Sequence, residues 1–518
     1  MNEYKFSREY DVIVIGAGNG GLTAGAVCAK KGLKTLVLEQ HNLPGGVATS
    51  FVRGRFEFEP SLHEISDFGP DDNAGAVRNL LENTLELGAE WMRVPEAYRL
   101  IIPKEKNGRL DVCMPFGVDA YIDKIESEDP GCRPYVEDFM ALCKEVVDAF
   151  AYMAASKGNV DRKYMQKNFG NFLRTASYSL QSVFDAVKVP YKSQKIISAY
   201  WCYLGLDVDK LNFPTYAAMF YKYLSKGAYI PRFRSHGFTV ALDRKIRDFG
   251  GTIEYRTKVV NILVENNQVI GVKTEYGEYI KTSNIIANTN AHNVYGKLVN
   301  KADVPEMAIK ACNSRDIGPS VLVAYLGLNK SAEELGIHEY SYFIYSKPTT
   351  AEIYKGFCSF DEPVGQATVC LNNAIPDCSP PGTSILYLTT LYHGDMWKDV
   401  TPDKYVATKN RFAKAMIEEF EKVVGVSVTP YIEEIEVASP VTIARYTDAY
   451  NGSIYGYEIT NWDSVIPRLM MIKDEEFIKG LKFAGGFAFR CHGYASSLLS
   501  GETAALLTVK DVLAVKQQ

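Results

Sequence analysis

Four β-branched residues, Val12 to Ile15, stand between Asp11 and Gly16. An uninterrupted apolar run of that length, closed by a glycine, predicts a strand buried on both faces of a parallel sheet. Small and apolar residues follow and predict a helix over about Gly20 to Lys30. "KTLVLE" then predicts a second buried strand that ends on Glu39. Far downstream, Gly250 to Asn288 reads as strand, hairpin at "ENNQ", strand, turn at "YG", strand. Near the C-terminus a short strand, Leu481 to Ala484, ends in Gly485-Gly486, and a small-residue helix runs from about Gly493 past Ala505. Between these pieces, "YVEDFMALCKEVVDAFAYMAASKG" has helical apolar spacing, and "GPSVLVAYLGLNK" over residues 318–330 predicts a buried sheet strand. Residues 195–233 are crowded with aromatics, including Tyr200, Trp201, Tyr203, Phe213, Tyr216, Phe220, Tyr223 and Phe233. They predict either a helical core or the wall of an apolar tunnel.

The glycines give this pattern its chemistry. Gly16, Gly18 and Gly21 form G-x-G-x-x-G between the first strand and its helix. The first permits the tight turn, the second lets backbone approach a pyrophosphate, and the third lets helix pack on strand. The helix N-terminus, with Asn19 and Gly20, aims its amides at phosphate. Glu39 lies at the spacing expected of an acid that binds ribose hydroxyls. The unit therefore predicts a dinucleotide. Three further segments select FAD over NAD. Gly45, Gly46 and Val47 follow Glu39 and bring more backbone to the cofactor. Val259 begins the strand expected beside the adenine, and Asn288 ends the strand that returns to the sheet. Gly485, Gly486, Gly493, Tyr494 and Ala495 bring a helix N-terminus suited to negative charge on a reduced flavin ring.

Composition narrows the class. The chain has 518 residues and a formal net charge of −5, without the basic face a nucleic-acid protein needs. Ten cysteines and seven histidines show no CxxC, HExxH or clustered spacing, so reduced buried thiols in a cytoplasmic protein and no metal are expected. No run of 18 apolar residues is present, and the polar N-terminus does not read as a signal peptide. "DRKYMQKNFGNFLRTASYS" mixes bases with aromatics. It reads as a solvated helix face, or as a peripheral contact with the inner face of a membrane.

In this order the segments resemble the flavoprotein superfamily of phytoene desaturases, carotenoid isomerases and retinol saturases, with amine oxidases as more distant relatives. The resemblance covers about residues 9 to 68, 225 to 298 and 440 to 505. "RFEFEPSLHEIS" (55–66) resembles the retinol-saturase segment in which a histidine follows a phenylalanine–acid pair. "SPVTIARYTDAYNGSIYGYE" (439–458) resembles the stretch before the last strand. The resemblance implies an α/β fold: a two-part Rossmann-type FAD-binding domain of the amine-oxidase-like kind (1–96, 225–298 and 439–518) with an interleaved α+β substrate domain (97–224 and 299–438). It also implies FAD and chemistry on a carbon–carbon double bond of an apolar unsaturated molecule. Val47, Glu59, Ser61 and the run "RCHGYASS" depart from the family pattern and suggest a site shaped for something smaller or more polar.

Reducing an alkene needs hydride at one carbon and a proton at its neighbour. His63 is the first candidate proton donor, then His492, Tyr455 and Tyr494, because histidine titrates near neutral pH. Arg490 is a candidate for an anionic substrate group or the flavin ring. One dinucleotide motif and no CxxxxC imply that electrons come from or go to an external partner, oxygen or a quinone, or that the reaction is redox-neutral. The readings that remain open are a saturase or desaturase, a flavin-dependent isomerase, an amine-oxidase-like enzyme, and a non-catalytic lipid escort.

Overall fold

The computed structural model describes residues 4–105, 108–156, 159–361, 363–472, 476–488 and 491–516. Arg490 lies outside the described residues. Five short strands form one all-parallel sheet in the order Thr252–Glu254, Thr35–Leu38, Val12–Ile15, Ile285–Ala287, Leu481–Phe483. Every residue of Val12–Ile15, Thr35–Leu38 and Ile285–Ala287 is buried. That is the reason their sequences are unbroken apolar runs instead of alternating ones. The sheet thus collects strands from three distant parts of the chain, and the helices Asn19–Lys30 and Tyr494–Lys516 pack together beside it.

A second sheet has four strands, Phe6–Glu9, Tyr279–Lys281, Gln268–Thr274 and Val259–Glu265. The hairpin expected at "ENNQ" is present, with Asn266 and Asn267 both at positive φ (50° and 58°). Such conformations favour asparagine and match the twist of a two-residue hairpin. The structure differs from the sequence reading in two places. The stretch before that hairpin is not one strand: Thr252–Glu254 joins the parallel sheet and Val259–Glu265 the second one. The chain breaks at Arg256 (φ 52°), where the Arg256 amide donates to the His41 carbonyl (2.9 Å) and the Thr257 amide to the Glu39 carbonyl (2.8 Å). The polar N-terminus also supplies a strand, Phe6–Glu9, paired in parallel with Tyr279–Lys281.

The third sheet has seven strands, in the order Ile432–Ala438, Ser320–Leu328, Ser384–Tyr392, Gly365–Cys370, Ser341–Tyr345, Tyr98–Glu105, Gly108–Met114. Its strand Ser320–Leu328 is wholly buried, as its sequence predicts. Side chains alternate between faces: Leu322, Ala324 and Leu326 pack with Phe412, Met416 and Phe420 of the long helix Pro402–Val424. Val321, Val323 and Tyr325 point the other way and line a large cavity. Across it stand the helices Arg133–Ala155 and Phe213–Lys226, which pack against each other. No helix of the described residues is long and apolar enough to cross a membrane.

Candidate functional site

The glycine turn is built from backbone contacts that leave no room for side chains. Gly16 has φ 93°, a conformation that costs glycine least. A Cβ on Gly21 would stand 1.9 Å from the Gly16 carbonyl oxygen, so this glycine serves the helix–strand packing assigned to it and is not part of the cavity wall. Gly18 forms a bridge with Gly45, whose amide donates to the Ala17 carbonyl (2.8 Å). The two glycine segments therefore form one cradle. Glu39 sits at its edge, and its carboxylate accepts from the Ala17 amide (2.6 Å) and the His41 amide (2.7 Å). Asn288 closes the other side. Its amide donates to the Ile15 carbonyl (2.8 Å). A Cβ on Gly485 would lie 2.5 Å from its side-chain oxygen.

The C-terminal segment meets this cradle directly. The Gly485 amide donates to Ser500 Oγ (2.8 Å), which ties the last strand to the helix Tyr494–Lys516. Gly16, Gly18, Asn19, Gly20, Glu39, Gly45, Gly46, Val47, Val259, Asn288, Gly485, Gly486, Gly493, Tyr494 and Ala495 all line one cavity of about 2890 Å³. Of the residues expected to hold the cofactor, only Gly21 stands outside it. A pocket for one small molecule spans roughly 300–1,000 Å³, so this space suits a dinucleotide and a second molecule together. Five polar atoms of residues in its wall, Asn19 Oδ1, Glu64 Oε2, His236 Nδ1, Gln366 Oε1 and His492 Nδ1, are buried without a protein partner among the described residues. Buried polar atoms are ordinarily paired. The bare cradle and the unpaired wall atoms both fit a bound nucleotide cofactor.

The cavity continues from the cradle to the seven-stranded sheet. Its central strip is residues 60–64, and tyrosines hold that strip from both sides. The Tyr325 hydroxyl donates to the Pro60 carbonyl (2.5 Å), Tyr387 to Leu62 (2.6 Å), Tyr223 to Glu64 (3.4 Å), and Tyr340 to His63. His63 Nε2 meets Thr389 Oγ1 (3.2 Å) and its Nδ1 meets the Tyr203 hydroxyl (3.4 Å). The same hydroxyl donates to Glu64 Oε1 (2.8 Å). His492 Nε2 lies 2.9 Å from the Tyr203 carbonyl. A carbonyl only accepts, so the proton sits on Nε2 and Nδ1 presents a lone pair. The Tyr455 ring lies beside it, centres 4.3 Å apart and planes tilted by 54°. The Tyr494 hydroxyl lies 3.2 Å from Ser61 Oγ and 3.1 Å from Ser235 Oγ.

His63, His492, Tyr455 and Tyr494 thus all reach the cavity wall. The reason given for preferring the histidines does not hold. Burial pushes His63 and His492 down to about 4, so at neutral pH both are neutral imidazoles and neither is the imidazolium acid that was expected. Burial also drives the Tyr494 phenol well above its ordinary range. The carboxyls move the opposite way: burial raises Glu59 to about 7 and Glu64 to about 8. Glu59 lies behind the wall, where it accepts from the Ser235 amide (2.8 Å) and hydroxyl (2.6 Å) at the start of the helix Arg234–Asp248. Glu64 lines the cavity itself. Sequence reasoning passed over it, although an acid between buried Leu62 and Ile65 is a readable anomaly. The aromatic stretch divides between its two readings. Tyr200, Trp201, Phe213, Tyr216 and Phe220 are core, Tyr203 and Tyr223 line the cavity, and Phe233 is exposed.

Residues 14–96 match the NAD(P)-binding Rossmann-like domain family. All-trans-retinol 13,14-reductase of Danio rerio is 24% identical over 96% of this chain and 85% of its own length. The chloroplastic prolycopene isomerase of Daucus carota is 25% identical over 87% of the chain and 72% of its own. The structure of cyclohexylamine oxidase from Brevibacterium oxydans superposes with a TM-score of 0.61 at 13% identity, covering 97% of this chain and 99% of that one. The chain has the fold of amine-oxidase-like structures such as this one. Among the curated proteins it is similar to are retinol 13,14-reductases and prolycopene isomerases, at 24–25% identity.

Proposed function

We propose that the protein is an FAD-dependent oxidoreductase that saturates or forms a carbon–carbon double bond in an apolar, unsaturated molecule of isoprenoid or lipid type. The observation that carries this reading is the single cavity of about 2890 Å³, which runs without a partition from the glycine cradle to a chamber walled by Tyr203, Tyr223, Tyr325 and Tyr345. Gly18, Gly20 and the start of the helix Asn19–Lys30 are the backbone donors suited to the pyrophosphate. Glu39 is the acceptor for ribose hydroxyls. The N-terminus of the helix Tyr494–Lys516, whose Tyr494 and Ala495 line the cavity, would hold the isoalloxazine end. FAD supplies two-electron hydride chemistry when bound. The chain's own part is to exclude water, to lay an alkene against the ring, and to hold the proton. The reading includes the division into a cofactor unit of 1–96, 225–298 and 439–518 and a substrate unit of 97–224 and 299–438.

Val160, Leu173 and Met470 line the cavity and are also exposed, at 37%, 43% and 77%. This apolar rim supports entry of an oily molecule from a membrane surface by a cytoplasmic protein, with an external donor or acceptor for the electrons. The test is direct. Purified protein is photoreduced without oxygen and candidate polyenes are added. Reoxidation of the flavin by an alkene establishes a saturase, and a colourless protein that takes up no FAD ends the reading. A redox-neutral isomerase is the second reading, favoured by the likeness to the carrot isomerase. It gives rearranged product at constant flavin absorbance.

A further inference from the structure

We propose that Glu64 is the proton donor of this site: its carboxyl delivers a proton to one carbon of the substrate's double bond as the neighbouring carbon receives hydride from reduced flavin. This rests on the flavin oxidoreductase reading above. In the balanced step, the hydride brings two electrons and forms the first new C–H bond. The π pair then takes the proton from Glu64 to form the second. The flavin is oxidised, the alkene is reduced, and Glu64 is left as a carboxylate.

Three features of the geometry select Glu64. First, its carboxyl stands in the cavity wall with one oxygen engaged and one free. Oε1 accepts from the Tyr203 hydroxyl (2.8 Å), and Oε2 is buried without a partner among the described residues. A proton on Oε2 therefore has no protein acceptor among the described residues, in a residue that lines the cavity. Second, the segment is rigid, because tyrosine hydroxyls hold the carbonyls of Leu62, His63 and Glu64. A donor held in place in this way can be aimed. Third, two of the alternatives are committed elsewhere. His492 spends its one N–H on the Tyr203 carbonyl, and Glu59 points its oxygens at Ser235 and Leu62.

The surroundings keep Glu64 protonated. The groups around it are Tyr200, Cys202 and Tyr203 from the turn Ser198–Tyr203, Tyr223 from the helix Phe213–Lys226, Tyr340 just before the strand Ser341–Tyr345, Tyr387 from the sheet, His63 beside it, and Glu96. All are neutral or acidic, so none offers a positive charge to a carboxylate. Burial, the main cause, raises Glu64 to about 8, as for carboxylic acids kept neutral in apolar sites. After the transfer, the Tyr203 hydroxyl already in place stabilises the new carboxylate, and water reprotonates it once product leaves.

The test compares wild type with Glu64→Gln, which preserves the Tyr203 hydrogen bond, and with Glu64→Asp. The carboxyl infrared band of the purified protein is recorded at pH 7, and reoxidation of photoreduced holoprotein by an alkene is followed by stopped flow. The expected result is a protonated-carboxyl band that the E64Q protein lacks, equal flavin content, and a reoxidation rate lowered about 10²-fold or more. E64D restores part of that rate. The wild-type rate is level at low pH and falls as pH rises through about 8; E64Q shows no such fall. A band unchanged in E64Q, or reoxidation at the wild-type rate, overturns the proposal alone. A wild-type holoprotein that no alkene reoxidises overturns the oxidoreductase reading and this proposal with it.

Discussion

Gly501 and Gly20 meet backbone to backbone. A Cβ built on Gly501 would lie 2.2 Å from the Gly20 carbonyl oxygen and 3.1 Å from its Cα. The helices that begin at Asn19 and Tyr494 cross at this point, so the end of the chain is fastened to its first glycine turn. The Gly485 amide, bonded to Ser500 Oγ, is carried to the cradle by the same crossing.

Gly501→Ala therefore forces the two helices apart. Overpacking of this kind costs roughly 1–3 kcal/mol, and here the neighbour is backbone that cannot rotate away. The expected outcome is a lower urea midpoint and weaker flavin uptake in the same variant. Unfolding curves and a flavin fluorescence titration check both. A Gly501→Ala protein with wild-type flavin affinity would separate the crossing from the cofactor site.

Glu39→Ala removes the acceptor for the Ala17 and His41 amides together with the group assigned to the ribose. A buried donor left unpaired costs about 1–3 kcal/mol, and every 1.4 kcal/mol is about tenfold in affinity. FAD should bind at least about tenfold more weakly, while FMN, which lacks the adenosine ribose, binds with unchanged affinity. Fluorescence titration with each flavin reads the difference.

Tyr387→Phe deletes one hydroxyl and strands the Leu62 carbonyl, to which Tyr387 donates at 2.6 Å. Tyr387 is fully buried, so no water replaces the bond without rearrangement. The expected cost is about 1–3 kcal/mol of stability, seen as a lower denaturation midpoint. The cavity strip also loosens, and turnover falls more than flavin affinity.

Stability should fall between pH 6.5 and 8. Glu59 and Glu64 are raised in the folded protein to about 7 and about 8. Folded protein therefore binds more protons than unfolded chain above the ordinary carboxyl range, and stability declines as pH rises through those values. His63 and His492 are lowered to about 4. They act in the opposite sense, favouring the fold as pH rises from 4 to 6.5, and contribute no further change above that. Urea midpoints at pH 6.5 and 8 should differ, and the difference should shrink in Glu64→Gln. An equal slope in the variant would show that Glu64 ionises as it does in the unfolded chain.

Much of the cofactor half was legible because its signals are local. A wholly apolar run marks a strand covered on both faces, and glycines mark places where backbone touches backbone, as at Gly16 and Gly21. The chain around Arg256 was misread for the converse reason. Nothing in "EYRTKVV" distinguishes one long strand from two strands in different sheets, because the break is made by hydrogen bonds to residues 39 and 41, far away in sequence.

The sequence by itself determined the dinucleotide turn, the C-terminal helix and the buried strand Ser320–Leu328, since each follows from side-chain size and apolar pattern, while the returning strand at Asn288 came from the family resemblance. Only the tertiary structure decided which polar groups share one cavity and what charge they carry. His63 was expected to titrate near neutral pH, and Glu64 was not singled out at all. Burial lowers the one and raises the other, because removal from water disfavours whichever form is charged, and burial belongs to the assembled fold.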